Sequence, residues 1–174
     1  TGVLEWNTDK AYLRRLADAG IPTVPTTWLE PGDSFTPPDH PFVVKPRISA
    51  GARDTAAYAA GAADALAHVQ SLLDAGRPVM VQPYITEVDT VGETSILVFD
   101  GEVSHAAGKA AILEVGRPVD NTIDSRAFVS PRVPGPAEIA LAEQVVALAQ
   151  SWGDPLLYAR VDLLPGPVLI ELEV

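Results

Sequence analysis

Apolar residues with helical spacing at Tyr12, Leu13 and Leu16 predict a helix over residues 7–19, with Thr8 as its cap and Gly20 as its stop. A proline-rich stretch follows, IPTVPTTWLEPGDSFTPPDHP, with one short extended piece over residues 24–29. FVVK is a brief β-branched run halted by Pro46 and reads as a strand over 42–45. ISAGARD is loop material, after which Asp54 or Thr55 can cap an alanine-rich helix running to about Ala75 and closed by Gly76. VMVQPYI predicts a strand over 79–85. Two strands, 93–99 and 102–109, flank Asp100-Gly101, a strong signal for a type I′ hairpin turn. Residues 112–135 show no clear period and read as a long surface loop with one strand. Pro136 suits the first position of a helix to about Trp152. The pattern is that of an α+β protein, antiparallel sheet with helices packed on one side.

The last seventeen residues, YARVDLLPGPVLIELEV, form a second hairpin around Pro165-Gly166. A two- or four-residue loop pairs Val161 with Ile170, Asp162 with Leu169 and Arg160 with Glu171. Side chains alternate along a strand and directly opposed residues share a face. Arg160, Asp162, Glu171 and Glu173 then project together, while Val161, Leu163, Ile170 and Leu172 point the other way. Asp162 and Glu171 become diagonal neighbours able to reach hard cations through oxygen. The same face serves equally as a solvated one with an Arg160–Glu171 pair, and a three-residue loop would break the alignment.

At 174 residues the chain suits one full core and is short for two independent domains. Hydrophobic residues make up 47% of it, but alanine supplies 25 of them. With no cysteine there is no disulfide framework and no thiolate metal site, which fits a reducing, cytoplasmic compartment. No apolar run approaches the roughly 18 residues of a membrane span. A net charge of −11, from 12 Lys and Arg against 23 Asp and Glu, argues against nucleic acid as partner. An acidic protein still binds an anionic nucleotide when its few cations converge on one cleft.

Lys45, at the end of an apolar strand, can meet a phosphate as a point charge or guard a strand edge. In SAGARDT, Gly51 lets backbone amides approach an anion, and Ser49, Arg53 and Thr55 add donors; an ordinary strand–helix connection has the same look. Pro83 interrupts the hydrogen bonding of VQPYI, which either presents backbone groups to an adenine edge or relieves an edge strand. Glu93, after Val91-Gly92, is placed to accept from ribose hydroxyls or to face solvent. Lys109 is a candidate phosphate contact. His105 is the only histidine near this presumed site.

In their order, WNTDKAYL, FVVKPRISAGARDT, VMVQPYI, VGETSILVFDGEVSHA and YARVDLLPGPVLIELEV resemble the ATP-grasp superfamily, most closely its glutathione-synthetase-like and cycloserine-biosynthesis-like ligases. The resemblance spans nearly the whole chain. It implies two α+β subdomains with antiparallel sheets gripping ATP, a smaller lobe over about 20–83 and a metal-binding lobe over about 84–174. It also implies that residues 1–174 are part of a longer protein whose N-terminal substrate domain lies outside this chain. Lys10 and Lys45 would contact the phosphates, and Ser49–Thr55 would form the loop over them. Gln82, Pro83, Tyr84 and Ile85 would be the adenine hinge, with Glu93 on the ribose. Asp162, Glu171 and Glu173 would hold two Mg²⁺ (or Mn²⁺) ions, with Arg160 and Lys109 facing phosphate or the reacting carboxylate.

The implied reaction is ATP-dependent carboxylate–amine ligation through an acyl phosphate, with small-molecule substrates; a homodimer is compatible with it. Many relatives carry Asn where this chain has Glu173, and residues 112–130 match poorly, with Arg126 standing for a family arginine. Two other readings share these features. One is a non-catalytic nucleotide-binding module of the same fold, and the other is phosphotransfer through His105.

Overall fold

The computed structural model describes residues 2–122, 129–153 and 155–174; Arg126 lies outside them. The chain divides into two compact units, one of Pro25–Tyr84 with Ile112–Ala127, the other of Thr1–Val24, Ile85–Ala111 and Phe128–Val174. The first two dozen residues belong to the second unit, and the aperiodic segment that begins at Ile112 belongs to the first.

The first unit is built on a four-stranded antiparallel sheet. Its strands are β1 (Thr27–Leu29), β2 (Phe42–Pro46), β3 (Ala56–Tyr58) and β4 (Val79–Pro83), in the order β1-β4-β2-β3. A helix, α3 (Asp64–Asp74), packs Ala65, Val69, Leu72 and Leu73 against Phe42, Val44, Val79 and Val81. The long alanine-rich helix expected from residue 54 or 55 is therefore wrong at its start. Ala56–Tyr58 pair instead with Phe42–Val44, and the Tyr58 ring stacks on Phe42 at 5.6 Å. Alanine's helix propensity is worth only tenths of a kcal/mol per residue, so burial and a strand ladder override it. Gly61, at φ +66°, then turns the chain into α3. Asp54 is no cap: it sits at φ +55° with its carboxylate held by Arg77 at 2.7 Å and Asn121 at 2.9 Å.

The second unit has a five-stranded antiparallel sheet of β5 (Glu93–Phe99), β6 (Glu102–Lys109), β7 (Val129–Arg132), β8 (Tyr158–Leu164) and β9 (Val168–Glu173), in the order β7-β6-β5-β8-β9. Asp100 and Gly101 have φ +50° and +83°, as a type I′ turn requires. Helix α5 (Pro136–Gln150), with Pro136 at its start, buries Leu141, Ala142, Val145, Val146 and Ala149 in a 3.6-residue stripe against β5, β6 and β8. Thr94 donates its hydroxyl to Glu138 of α5, which fixes Thr94, Ile96 and Val98 on the helix-covered face. A four-residue helix, α4 (Val88–Val91), leads into β5.

Where one helix was expected over 7–19, two short ones occur, α1 (Gly2–Asn7) and α2 (Tyr12–Asp18). Thr8 donates to the Leu4 carbonyl and closes α1 rather than capping α2, and Asp9 accepts from the Ala11 amide ahead of α2. Trp6 ties α1 to the end of α5 through Trp152 at 4.9 Å. No described helix is long and apolar enough to cross a membrane.

The hairpin register departs from expectation. Leu164 pairs with Val168 and Leu163 with Leu169 across a three-residue loop, which by itself would put Glu171 opposite Val161. A bulge after this pair shifts the ladder by one residue, giving Asp162↔Glu171, Val161↔Leu172 and Arg160↔Glu173. The extra residue restores the acidic face that the odd loop would have split. Leu169, not Ile170, is thus the buried apolar residue there.

Gly92 joins α4 to β5 at φ +73° and ψ −174°, a region open essentially to glycine alone. A Cβ there would sit 2.5 Å from the Lys109 carbonyl oxygen. Gly92→Ala is expected to lose about 3 kcal/mol of stability in urea titration. Gly76→Ala, at φ +72° with nothing within 4 Å of the added carbon, should lose only about 1 kcal/mol; equal losses would contradict this account.

Candidate functional site

Because α5 covers one face of the five-stranded sheet, alternation assigns Glu93, Ser95, Arg160, Asp162, Glu171 and Glu173 to the other. Asp162 is 2% exposed. A buried carboxylate persists ionised only when it is paired, and here two cations hold it. Arg160, two residues earlier on the same strand face, donates from Nε at 2.9 Å to Oδ1 and from Nη2 at 2.9 Å to Oδ2. Lys109, at the end of β6, donates to Oδ2 at 2.7 Å. Arg160 also reaches Glu173 at 2.6 Å, and buried Lys10 reaches Glu171 at 3.1 Å. Each of the three carboxylates on this face is therefore paired with a cation, two of them from the sheet and Lys10 from the segment between α1 and α2. The expected Arg160–Glu171 pair does not form, because the bulge sets Arg160 opposite Glu173.

Burial pushes the Asp162 carboxyl up, but the Arg160 hydrogen bond and the Lys109 and Arg160 charges outweigh it and hold the group below the usual carboxylate range. Burial alone would lower the Arg160 guanidinium, yet Asp162, Glu173 and Glu171 keep it above its ordinary value. Among the described residues, no group of three His, Asp or Glu side chains is gathered tightly enough to hold a metal ion. The donor set nevertheless fits one chemically: Asp162, Glu171 and Glu173 supply hard oxygens from one face.

The free edge of β9 is covered by the N-terminal segment. Tyr12 Oη donates to the Leu172 carbonyl at 2.9 Å and accepts from the Leu172 amide at 2.8 Å, and Asn7 adds a bond to the same carbonyl. Leu169 is engaged by Pro22 and Val24 in the same way. Burial and the Glu171 charge raise the Tyr12 phenol, so it stays protonated and able to donate. Tyr12 was legible only as an apolar helix residue; its hydroxyl, flanking both Glu171 and Glu173, gave no sequence signal.

Glu93 pairs in register with Lys109 at the start of β5, and half-buried Ile85 precedes α4. His105 is exposed, with Nδ1 3.0 Å from Ser104 Oγ and its ring against Phe99.

In the four-stranded unit, Lys45 and Gln82 are both buried and share the face of β2 and β4 opposite α3, since Lys45 pairs with Met80 and Val43 with Gln82. The Gln82 amide donates to Thr26 at 2.8 Å. β4 is a central strand rather than an edge, and Pro83 ends it. The Tyr84 amide donates to the Pro41 carbonyl at 2.9 Å, and the Tyr84 hydroxyl donates to the Leu113 carbonyl. Ser49 donates to the Pro46 carbonyl and Thr55 to that of Arg53. Between them Gly51 and Ala52 both have positive φ, +63° and +56°, and Arg53 is exposed. The Asp54–Asn121–Arg77 clamp anchors the loop's end, a long-range contact with no local pattern.

The depressed Asp162 group makes a pH prediction. Its stabilisation is complete above the ordinary carboxylate value of about 3.9 and is lost as pH falls through the lower folded value. Asp162→Asn should lose about 3–5 kcal/mol at pH 7 by stranding two cations. The gap from the unsubstituted protein should narrow in urea titrations taken progressively below about pH 4. A gap that is constant with pH would contradict the ionised pairing.

No protein-family model matches the chain. It is 35% identical to the cycloserine biosynthesis protein DcsG of Streptomyces lavendulae, across 99% of this chain and 63% of that protein. The crystal structure of D-cycloserine synthetase DcsG superposes with a TM-score of 0.88 and 33% identity over 98% of this chain and 63% of the other. D-alanine–D-alanine ligase from Bacillus anthracis, complexed with ATP, superposes with a TM-score of 0.65 at 17% identity, over 96% of this chain and 54% of the ligase, a likeness of fold. The chain thus spans about 63% of the length of the curated relative it matches. With two antiparallel sheets in two α+β units and this kinship to DcsG, the chain belongs to the ATP-grasp superfamily.

Proposed function

We propose that the chain is the nucleotide-binding part of an ATP-dependent ligase that joins a small carboxylic acid to an amine through an acyl phosphate. The observation that carries this reading is the pairing of Asp162, Glu171 and Glu173, on one sheet face, with Lys10, Lys109 and Arg160. Kinship with a cycloserine synthetase and a fold shared with an ATP-bound ligase support it.

Asp162, Glu171 and Glu173 would hold Mg²⁺, which when bound neutralises charge on the phosphate oxygens. Each carboxylate that turns to a cation releases the lysine or arginine now paired with it. Lys10, Lys109 and Arg160 are then available to anionic oxygens, so a metal and a polyphosphate can enter together without stranding charge. In the reaction a substrate carboxylate oxygen attacks the γ-phosphorus and the bond to the β-phosphate oxygen breaks, releasing ADP. The amine nitrogen then attacks the acyl carbon, loses a proton, and the C–O bond breaks to release phosphate. Lys45, with Ser49, Gly51, Arg53 and Thr55, is assigned to phosphate, Gln82, Pro83, Tyr84 and Ile85 to adenine, and Glu93 to ribose.

Calorimetry with a non-hydrolysable ATP analogue should show Mg²⁺-dependent binding, weakened roughly tenfold or more in Lys10→Ala, Lys45→Ala and Glu171→Gln, as expected for charge-assisted contacts of about 1.5–3 kcal/mol. Adenosine affinity should be nearly unchanged by the same substitutions. Affinity indifferent to Mg²⁺ and to all three changes would remove the reading. Formation of AMP and pyrophosphate instead of ADP would move the chemistry to adenylation.

A further inference from the structure

Two neighbouring hydroxyls on β5 differ in a way that calls for explanation. Thr94 faces α5 and is bonded to Glu138. Ser95, on the opposite face, is 1% exposed, and among the described residues its Oγ has no hydrogen-bond partner. Buried hydroxyls are normally satisfied, so this one calls for a partner.

Ser95 stands directly across the ladder from Asp162, with Ala107 on its other side. Directly opposed residues bring their Cβ atoms to about 4.5–5.5 Å. The carboxylate opposite this hydroxyl across the ladder is thus that of Asp162. That carboxylate is presently crowded on one side: Oδ2 accepts from Lys109 Nζ and Arg160 Nη2, with Nε a further 3.1 Å away, while Oδ1 accepts from Arg160 Nε. A carboxylate has about four acceptor positions, and bonds to both cations fix its present rotamer. Once the lysine and arginine leave for an anion, Asp162 loses the donors that orient it, and Ser95 is the donor that remains in the same row.

We propose that Ser95 is a positioning residue: its hydroxyl donates to Asp162 when that carboxylate turns from Lys109 and Arg160 to a divalent cation bound with nucleotide. The inference rests on the ATP-dependent reading above and adds a residue that no motif marks. It gives opposite signs for stability and binding. A hydroxyl with a structural partner supports the fold without ligand, whereas Ser95 leaves an unsatisfied group in that state, so its removal should be harmless there.

The test compares Ser95→Ala and Ser95→Thr with the unsubstituted protein in urea unfolding without metal or nucleotide, and in calorimetric titration with AMP-PNP over a series of Mg²⁺ concentrations and in EDTA. Ser95→Ala is expected to be as stable as the unsubstituted protein or more so, while the Mg²⁺ concentration needed for half-maximal AMP-PNP binding rises about tenfold. Binding in EDTA should not change, and Ser95→Thr, which keeps the hydroxyl, should restore the Mg²⁺ dependence. Loss of stability or failure to fold in Ser95→Ala would make the hydroxyl structural and overturn the proposal. So would an unshifted Mg²⁺ dependence in a variant that binds. Absence of Mg²⁺-dependent binding in the unsubstituted protein would overturn the functional reading and this inference with it.

Discussion

The five-stranded unit is organised around one buried charge. Asp162 cannot stay ionised at 2% exposure without cations beside it. Arg160 comes from the same strand, but Lys109 reaches it from β6, on the far side of β5. That reach fixes where β6 must end, and the small residues Ser95 and Ala107 in the intervening row leave room for it. Gly92 belongs to the same constraint, since its missing Cβ admits the Lys109 backbone. The charge, the strand lengths and the glycine are parts of one arrangement.

An acidic face also has to be held in register, and β9 lies at the edge of the sheet, where a strand has no second neighbour. The N-terminal segment supplies a substitute. Tyr12 and Asn7 bond Leu172, and Pro22 and Val24 bond Leu169, so the outer edge of the strand is occupied by side-chain and loop groups instead of another strand. The same segment carries Lys10 to Glu171. Alignment of the carboxylates and neutralisation of one of them thus depend on residues some 160 positions away in the chain.

Balanced pairing has a chemical consequence. Asp162 is held ionised and Arg160 protonated by each other, so both are in the charge state needed to exchange partners for a metal ion and a polyphosphate. Under the proposed function, the ion pairs occupy the site with groups of the right sign until ligands of both signs arrive. Such exchange avoids the large penalty of burying unpaired charge.

The amino-acid sequence by itself determined the elements with strong local signals: the 93–99 and 102–109 hairpin around Asp100-Gly101, the Pro136 helix, and the existence of a closing hairpin around Pro165-Gly166. These follow from period-2 alternation, a turn that demands positive φ, and proline's fitness for a helix start, all of which act within a few residues. Tertiary structure decided what such signals cannot weigh. Ala56–Tyr58 became a strand because Phe42–Val44 offered a partner, the hairpin register followed a bulge rather than the loop length, and Lys109 found Asp162 instead of solvent. The aperiodic stretch after residue 112 joins the first unit through isolated bonds from Tyr84 to Leu113, Gly116 to Ala57 and Asp54 to Asn121. Each of these outcomes is a contact between residues far apart in sequence, and its energy exists only once the chain has brought them together.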